Sequence, residues 1–132
     1  MAKKKNQKTE TQPRPVYSVI AEASVLGALI LKNELFDEIS TLIKADDFCN
    51  FIHKIIFEGI EHLLKLGKPA DLLTLEQHFL DKDVLYLFDF AYLAQIVNET
   101  PSTANIVAYA KIVARHSKQR RLLKLGQFIV DE

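Results

Sequence analysis

The segment SVIAEASVLGALIL, Ser18 to Leu31, is apolar nearly all the way round when wound as a helix. Val19, Ile20, Val25, Leu26, Leu29, Ile30 and Leu31 leave it no clean polar face. A surface helix buries one stripe; a helix greasy on every side has to sit in the middle of a core. Ser18 has the side chain of an N-cap. Gly27 interrupts the run at a cost of about 1 kcal/mol against alanine, which points to another element packing closely there.

The remaining segments supply that surrounding shell. Asn33 is placed to cap a second helix, with Glu34 and Asp37 in its first turn and Leu35, Phe36, Ile39, Leu42 and Ile43 along one face. KADDF, Lys44 to Phe48, is a connection in which the pair Asp46–Asp47 caps the turn that follows. Phe51 to Leu66 carries Ile52, Ile55, Ile56, Ile60, Leu63 and Leu64 on one stripe, and Gly67 and Pro69 stop it. Thr74 and Gln77 have capping-box spacing for a fourth helix bearing Leu75, Phe79 and Leu80. DKDVLYLFD, Asp81 to Asp89, reads either as a short helical turn or as a loop pinned by Val84, Leu85, Leu87 and Phe88. Phe90 to Asn98 forms a fifth helix, and Pro101 opens a last one capped by Thr100 or Ser102. No segment alternates with period two and none repeats. The expectation is an all-α fold: a head of five to six short helices, then a long C-terminal helix.

Apolar residues make up 48% of the 132, which suits one folded domain rather than a disordered chain. The single cysteine, Cys49, allows no internal disulfide and fits a reducing, cytoplasmic compartment. The lysine-rich start is not followed by the apolar run of a secretory signal, and no stretch is long enough to span a bilayer. Net charge is zero but unevenly spread. Residues 1–16 hold five basic groups and one acid, residues 17–110 hold six and fourteen, and residues 111–132 hold six and two. An acidic body between basic ends is a poor binder of phosphate backbone; it suits a basic protein partner or plain solubility. Residues 1–15 read as a disordered basic tail.

The last helix poses a puzzle. Its apolar residues stop for the seven positions RHSKQRR, Arg115 to Arg121, and then resume. With Ile106 at zero and about 100 degrees per residue, Tyr109, Ala110 and Val113 cluster near it. Leu122, Leu125 and Ile129 cluster about a third of a turn away. Two readings are open. Either the first half packs on the head while the second projects and buries its face elsewhere, or the helix breaks near Ser117 and both pieces share one core. No glycine or proline stands between Ser102 and Leu125, which favours projection.

Catalytic and cofactor motifs are not evident. Gly27, Gly59, Gly67 and Gly126 do not make a phosphate-binding loop; Gly67-Lys68 lacks the upstream glycine and the hydroxyl. His53, His62, His78 and His116 are scattered, with no HExxH pattern, and His53 with Cys49 four positions earlier makes a poor metal site. No motif supports nucleophilic catalysis. Lys118 to Arg121 could grip phosphate, although such a run on an exposed helix is more often a solvated face. A small nucleic-acid-binding or protein-interaction module using the tail and Lys118–Arg121 is the alternative reading.

Five phrases in order carry a resemblance: AEASVLGALIL from Ala21, ADDFCNFIHKIIF from Ala45, KPADLLTL from Lys68, FAYLAQI from Phe90 and TPSTANIVAYAKIV from Thr100. Together they resemble the N-terminal domain of the bacterial replicative hexameric DNA helicase, the DnaB family, over residues 18–130. The resemblance implies a non-catalytic assembly domain, with a head over 16–101 and, over 102–132, the first arm of a dimerisation hairpin whose second arm lies beyond Glu132. It implies pairing of subunits into a collar, a trimer of dimers, and recruitment of the primase C-terminal domain at the replication fork in the bacterial cytosol. ATP, Mg and contact with DNA would belong to the parent's motor domain, and this chain would need no cofactor or metal. By the same resemblance Tyr109, Ile112, Leu122, Leu125, Phe128 and Ile129 face another subunit. Phe88, Asp89, Tyr92 and Arg115 lie at the primase contact, and His53, Asp47 and Gly27 are structural. His53 is expected to hydrogen-bond the DDF turn, and Tyr92 is read equally as a core tyrosine. The chain departs from the family pattern at Ile20, where an acid is usual, and at Phe88–Asp89, where a Gly-Gly pair is usual.

Overall fold

The computed structural model describes residues 16–84 and 89–131, with side chains as far as Gln127. Every regular element among them is helical: α1 (Val19–Leu31), α2 (Phe36–Ile39), α3 (Phe51–Lys65), α4 (Leu72–Asp81), α5 (Phe90–Asn98) and α6 (Ile106–Asp131). Short 3₁₀ turns at Asn33–Leu35, Ala45–Asp47 and Thr103–Asn105 lead into α2, α3 and α6.

α1 is the central element, and α3, α5 and α6 pack around it. Ser18 caps it, its hydroxyl accepting from the Ala21 amide at 3.1 Å. Residues Ala21 to Ile30 are buried apart from half-buried Ala23, whereas Ile20 at the helix entrance is 76% exposed. Gly27 sits where α5 ends. A β-carbon there would overlap the Thr100 hydroxyl and come within 2.8 Å of the Ile96 carbonyl, so only glycine lets the two backbones meet. Around this axis Phe57 packs between Phe36 and Phe48, with ring centroids 5.6 and 5.1 Å away. Ile39, Ile43, Ile56, Ile60, Leu75, Phe79, Leu93 and Ile96 close the core.

Several caps differ from those read in the sequence. Asn33 caps no helix. Its amide donates to the carbonyls of Leu29 and Ala70 and its oxygen accepts from the Ala70 amide, so it staples the end of α1 to the turn before α4. Asn50 caps α3 instead of Asp46 or Asp47, and Asp71 caps α4, with Thr74 as the third residue of the box rather than the first. The Asx residue nearest each helix start takes the role because its short side chain reaches the free amides. Leu80 lies 52% exposed, since a step of one residue beyond Phe79 turns it off the stripe. Gly67 has φ of 75°, the left-handed conformation that ends α3.

α6 is one continuous helix, which removes the reading that it breaks near Ser117. Its buried stripe runs Ile106, Ala110, Val113 and Ser117, all at most 2% exposed. Ser117 lies only about 20 degrees from Ile106 round the helix, so the stripe continues through RHSKQRR with a serine where an apolar residue was sought. Every residue from Arg121 to Gln127 is exposed.

Candidate partner-binding surfaces

The first surface is a groove between α1 and α5 of about 120 Å3, floored by Ala23 and Ile96 and edged by Val19, Ile20, Tyr92 and Glu99. Helical spacing brings Val19, Ile20 and Ala23 to one side of α1, and Tyr92, Ile96 and Glu99 to the facing side of α5. The groove is apolar within and acidic at one rim, where Glu99 also accepts from Gln95.

Tyr92 is held from behind. Its hydroxyl lies 2.6 Å from Nε2 of His53, a residue with no exposed surface, and His53 Nδ1 lies 2.8 Å from Glu22 Oε1. Glu22 also accepts the backbone amides of Cys49 at 2.8 Å and Asn50 at 3.2 Å. A carboxylate accepting those amides leaves Nδ1 as the donor to it, so Nε2 accepts from the Tyr92 hydroxyl. Burial, and then the charges of Glu22 and Glu99, push the Tyr92 pKa up, which keeps it a neutral donor. His53 therefore bonds Glu22 and Tyr92 rather than the DDF turn, because α3 brings its ring between α1 and α5. Tyr92 is half-buried, its hydroxyl turned inward and its ring edge to edge with that of His53 in a nearly parallel plane, centroids 5.9 Å apart.

Glu22 was not singled out by the sequence, where it is one acid in an apolar helix. The available signal was that acid itself: a carboxylate one turn into a buried helix demands donors from elsewhere.

The second surface is the outer half of α6. Leu122, Leu123 and Leu125 are 57%, 60% and 55% exposed. Tyr109 and Ile112 are half-buried against the core. Phe128 and Ile129 lie on the helix beyond the described side chains. Of the remaining sequence-derived positions, Arg115 is exposed on α6 and Asp89 is exposed at the start of α5, where its side chain caps nothing. Phe88, like Leu85 and Leu87, lies outside the described residues, as does the tail over 1–15.

Asp47 and the basic run meet at the base of that outer half. Asp47 Oδ1 accepts from the Ser117 hydroxyl at 2.7 Å and from Arg121 at 3.2 Å, and Oδ2 accepts the Lys44 amide. Burial alone would raise the Asp47 pKa, but the bonds from Ser117, Lys44 and Arg121 together hold it below the usual carboxylate value. Arg120 donates to the carbonyls of Val16 and Asp47, each at 2.7 Å. Two of the four residues in the run are thus engaged within the chain, which weakens the phosphate-gripping reading.

A further cavity of about 300 Å3 between α3 and α4 is lined by His62 and His78, whose rings lie 5.1 Å apart. Burial, then the nearby His62 and Lys82, lower the His78 pKa against a weaker pull from Asp81. Among the described residues no three His, Cys, Asp or Glu side chains are grouped to hold a metal ion. No described helix is long and apolar enough to cross a membrane.

The family model of the DnaB-like helicase N-terminal domain matches residues 14–115. The replicative DNA helicase DnaB of Haemophilus influenzae is 39% identical over 98% of this chain, and that of Buchnera aphidicola subsp. Baizongia pistaciae is 43% identical over 86%. The chain spans 28% and 25% of the length of those two relatives. Among solved structures, the N-terminal domain of DnaB helicase from Mycobacterium tuberculosis superposes with a TM-score of 0.86 at 28% identity, covering 89% of this chain and 85% of that one. A DnaB-like replicative helicase, described with its interactions with primase, shares the fold at a TM-score of 0.75 and 21% identity, over 86% of this chain and 27% of its own.

Proposed function

The chain belongs to the family of DnaB-like helicase N-terminal domains, and from that premise we propose that it is a non-catalytic assembly and recruitment domain of a replicative DNA helicase. It pairs subunits through the outer half of α6 and presents the head to primase. Unwinding of DNA, with ATP and Mg, belongs to the parent enzyme's motor domain. The observation that carries this reading is α6. It leaves the head as an unbroken helix and offers Leu122 and Leu125, one turn apart and more than half exposed, to whatever packs against it. Covering that much of two leucines is worth about 2–3 kcal/mol per arm, enough to bias association when two arms meet.

The groove at Tyr92 supports the recruitment half. Val19 and Ile20 are exposed beside it, and the acidic rim at Glu99 favours a basic partner surface. The DnaB-like replicative helicase described with its interactions with primase, at 21% identity, supplies the partner class as a proposal for this chain.

Sedimentation equilibrium of the 132-residue chain tests the first half. The expected result is self-association that Leu122→Ser with Leu125→Ser abolishes, with the helical circular dichroism unchanged. Calorimetric titration with a primase C-terminal domain tests the second half, and Ile20→Glu and Gln95→Ala should change its affinity. A chain that stays monomeric at high micromolar concentration and gives no heat with primase overturns the proposal.

A further inference from the structure

We propose that Asp47, Ser117 and Arg120 form a latch that sets the direction in which the outer half of α6 leaves the head. Contact between α6 and the core ends at Ser117, the last buried position of the stripe. At that residue the bonds converge. The Ser117 hydroxyl donates to Asp47 Oδ1 and itself accepts from Arg121 at 2.7 Å, while the Arg120 fork spans two carbonyls from separate parts of the head, Val16 before α1 and Asp47 before α3. The partners are 70 to 104 positions apart in sequence, so the cluster ties three chain segments at one point. Asp47 is itself fixed, because its other carboxylate oxygen closes its own 3₁₀ turn through the Lys44 amide.

Past this point nothing described packs beneath the arm. An opening of about 440 Å3 separates Val16 and Asp46 from Leu123 and Lys124. α6 has apolar support on one side as far as Ala114 and is exposed from Arg121 onward, and as an unbroken helix with no proline, glycine or bulge at this point it turns as one piece, so its last restraint fixes its tilt. The restraint here is polar and narrow, and a guanidinium held by two planar carbonyls resists tilting in a way that a single-point ammonium does not. The latch thus holds the arm at one angle to the head when closed and lets the whole of α6 tilt on its apolar seat when open. Its role does not depend on what the arm binds.

The test measures a distance within one molecule. Cys49→Ser removes the exposed native thiol, and Glu58→Cys with Lys124→Cys places spin labels on the head and the arm. Leu122→Ser with Leu125→Ser in every variant removes the association of arms, and dilution with unlabelled chain suppresses any remaining signal between molecules. With the latch intact, electron-electron resonance should give one narrow distance distribution. Arg120→Ala should give one about twice as wide, or shifted, as for a packed helix free to slide on its neighbours. Arg120→Lys should fall between, and Lys118→Ala, an exposed neighbour, should match the intact chain. Ser117→Ala, a milder change, answers the same question if Arg120→Ala does not fold. Distributions for Arg120→Ala and Ser117→Ala that superimpose on the intact chain, with unchanged circular dichroism, overturn the latch.

Discussion

Replacing Glu22 by alanine should be among the most damaging single changes in the head, although Glu22 is a charged residue in an apolar helix. Its carboxylate accepts three donors, the amides of Cys49 and Asn50 and His53 Nδ1, and it is 1% exposed. Each buried donor left without an acceptor costs about 1–3 kcal/mol, and water entering the vacated space recovers part of it. The loss should come to about 3–5 kcal/mol, from a domain whose total stability is on the order of 6–15 kcal/mol. In a thermal melt that is a fall of roughly 12–20 °C. Glu22→Gln separates shape from chemistry. Its amide nitrogen meets the Cys49 amide in one orientation, and in the other the Asn50 amide together with His53, which can change tautomer to receive it; one backbone donor is left unmet either way, so the cost should be about 1–2 kcal/mol. Tyr92→Phe leaves His53 Nε2 without its donor and should cost a similar amount, about 1–2 kcal/mol. The three groups form one chain of bonds, so the double variant Glu22→Ala with Tyr92→Phe should lose less than the sum of its parts. Urea denaturation at neutral pH reads all of these. If Glu22→Ala lies within about 1 kcal/mol of the parent, or the double variant is strictly additive, the network is not a unit and the reasoning fails. The same numbers constrain any assay of Tyr92 as a contact residue, since a weaker complex has to be compared at equal folded fraction.

Gly27→Ala should destabilise by about 2–4 kcal/mol, because the new methyl meets the Thr100 hydroxyl and the Ile96 carbonyl, and Thr100→Ala should recover only part of it since the carbonyl remains; full recovery in a melt would show that the backbone approach does not matter. The lowered His78 pKa means that the unfolded chain takes up its proton first as pH falls. That contribution to stability is present above about pH 6.5 and is lost as pH drops through the lower folded value. Melts between pH 7 and 5 should therefore show a decline that His78→Gln reduces, and an unchanged slope would remove His78 as its source.

Much of the scaffold was legible from residue pattern alone. The stripe of α3, the extent of α5, the cap at Ser18, the stop at Gly67 and the close approach at Gly27 all follow from local chemistry within a turn or two of chain. The polar sites were not legible. Helical periodicity counts apolar residues, so Ser117 looked like a gap in a stripe that it in fact continues, and Lys118–Arg121 looked like one solvated run. Their partners are far away in sequence, Asp47 at 70 positions from Ser117 and Val16 at 104 from Arg120. His53 showed a similar gap. Its type and place on α3 suggested a structural hydrogen bond, but the bond reaches 31 positions back to Glu22 and 39 forward to Tyr92 instead of the adjacent turn.

By itself the sequence determined an all-helical head built round Val19–Leu31, because the burial of apolar stripes at helical pitch is a local and additive property. It also established the family likeness, since five phrases in register are independent of any geometry. Only the tertiary structure decided whether α6 breaks, which way Tyr92 points, and what Asp47 holds. Each of those depends on directional bonds between segments that no short-range pattern brings together. A buried carboxylate or serine is tolerated only where distant donors and acceptors happen to converge, and that convergence exists only once the helices have packed.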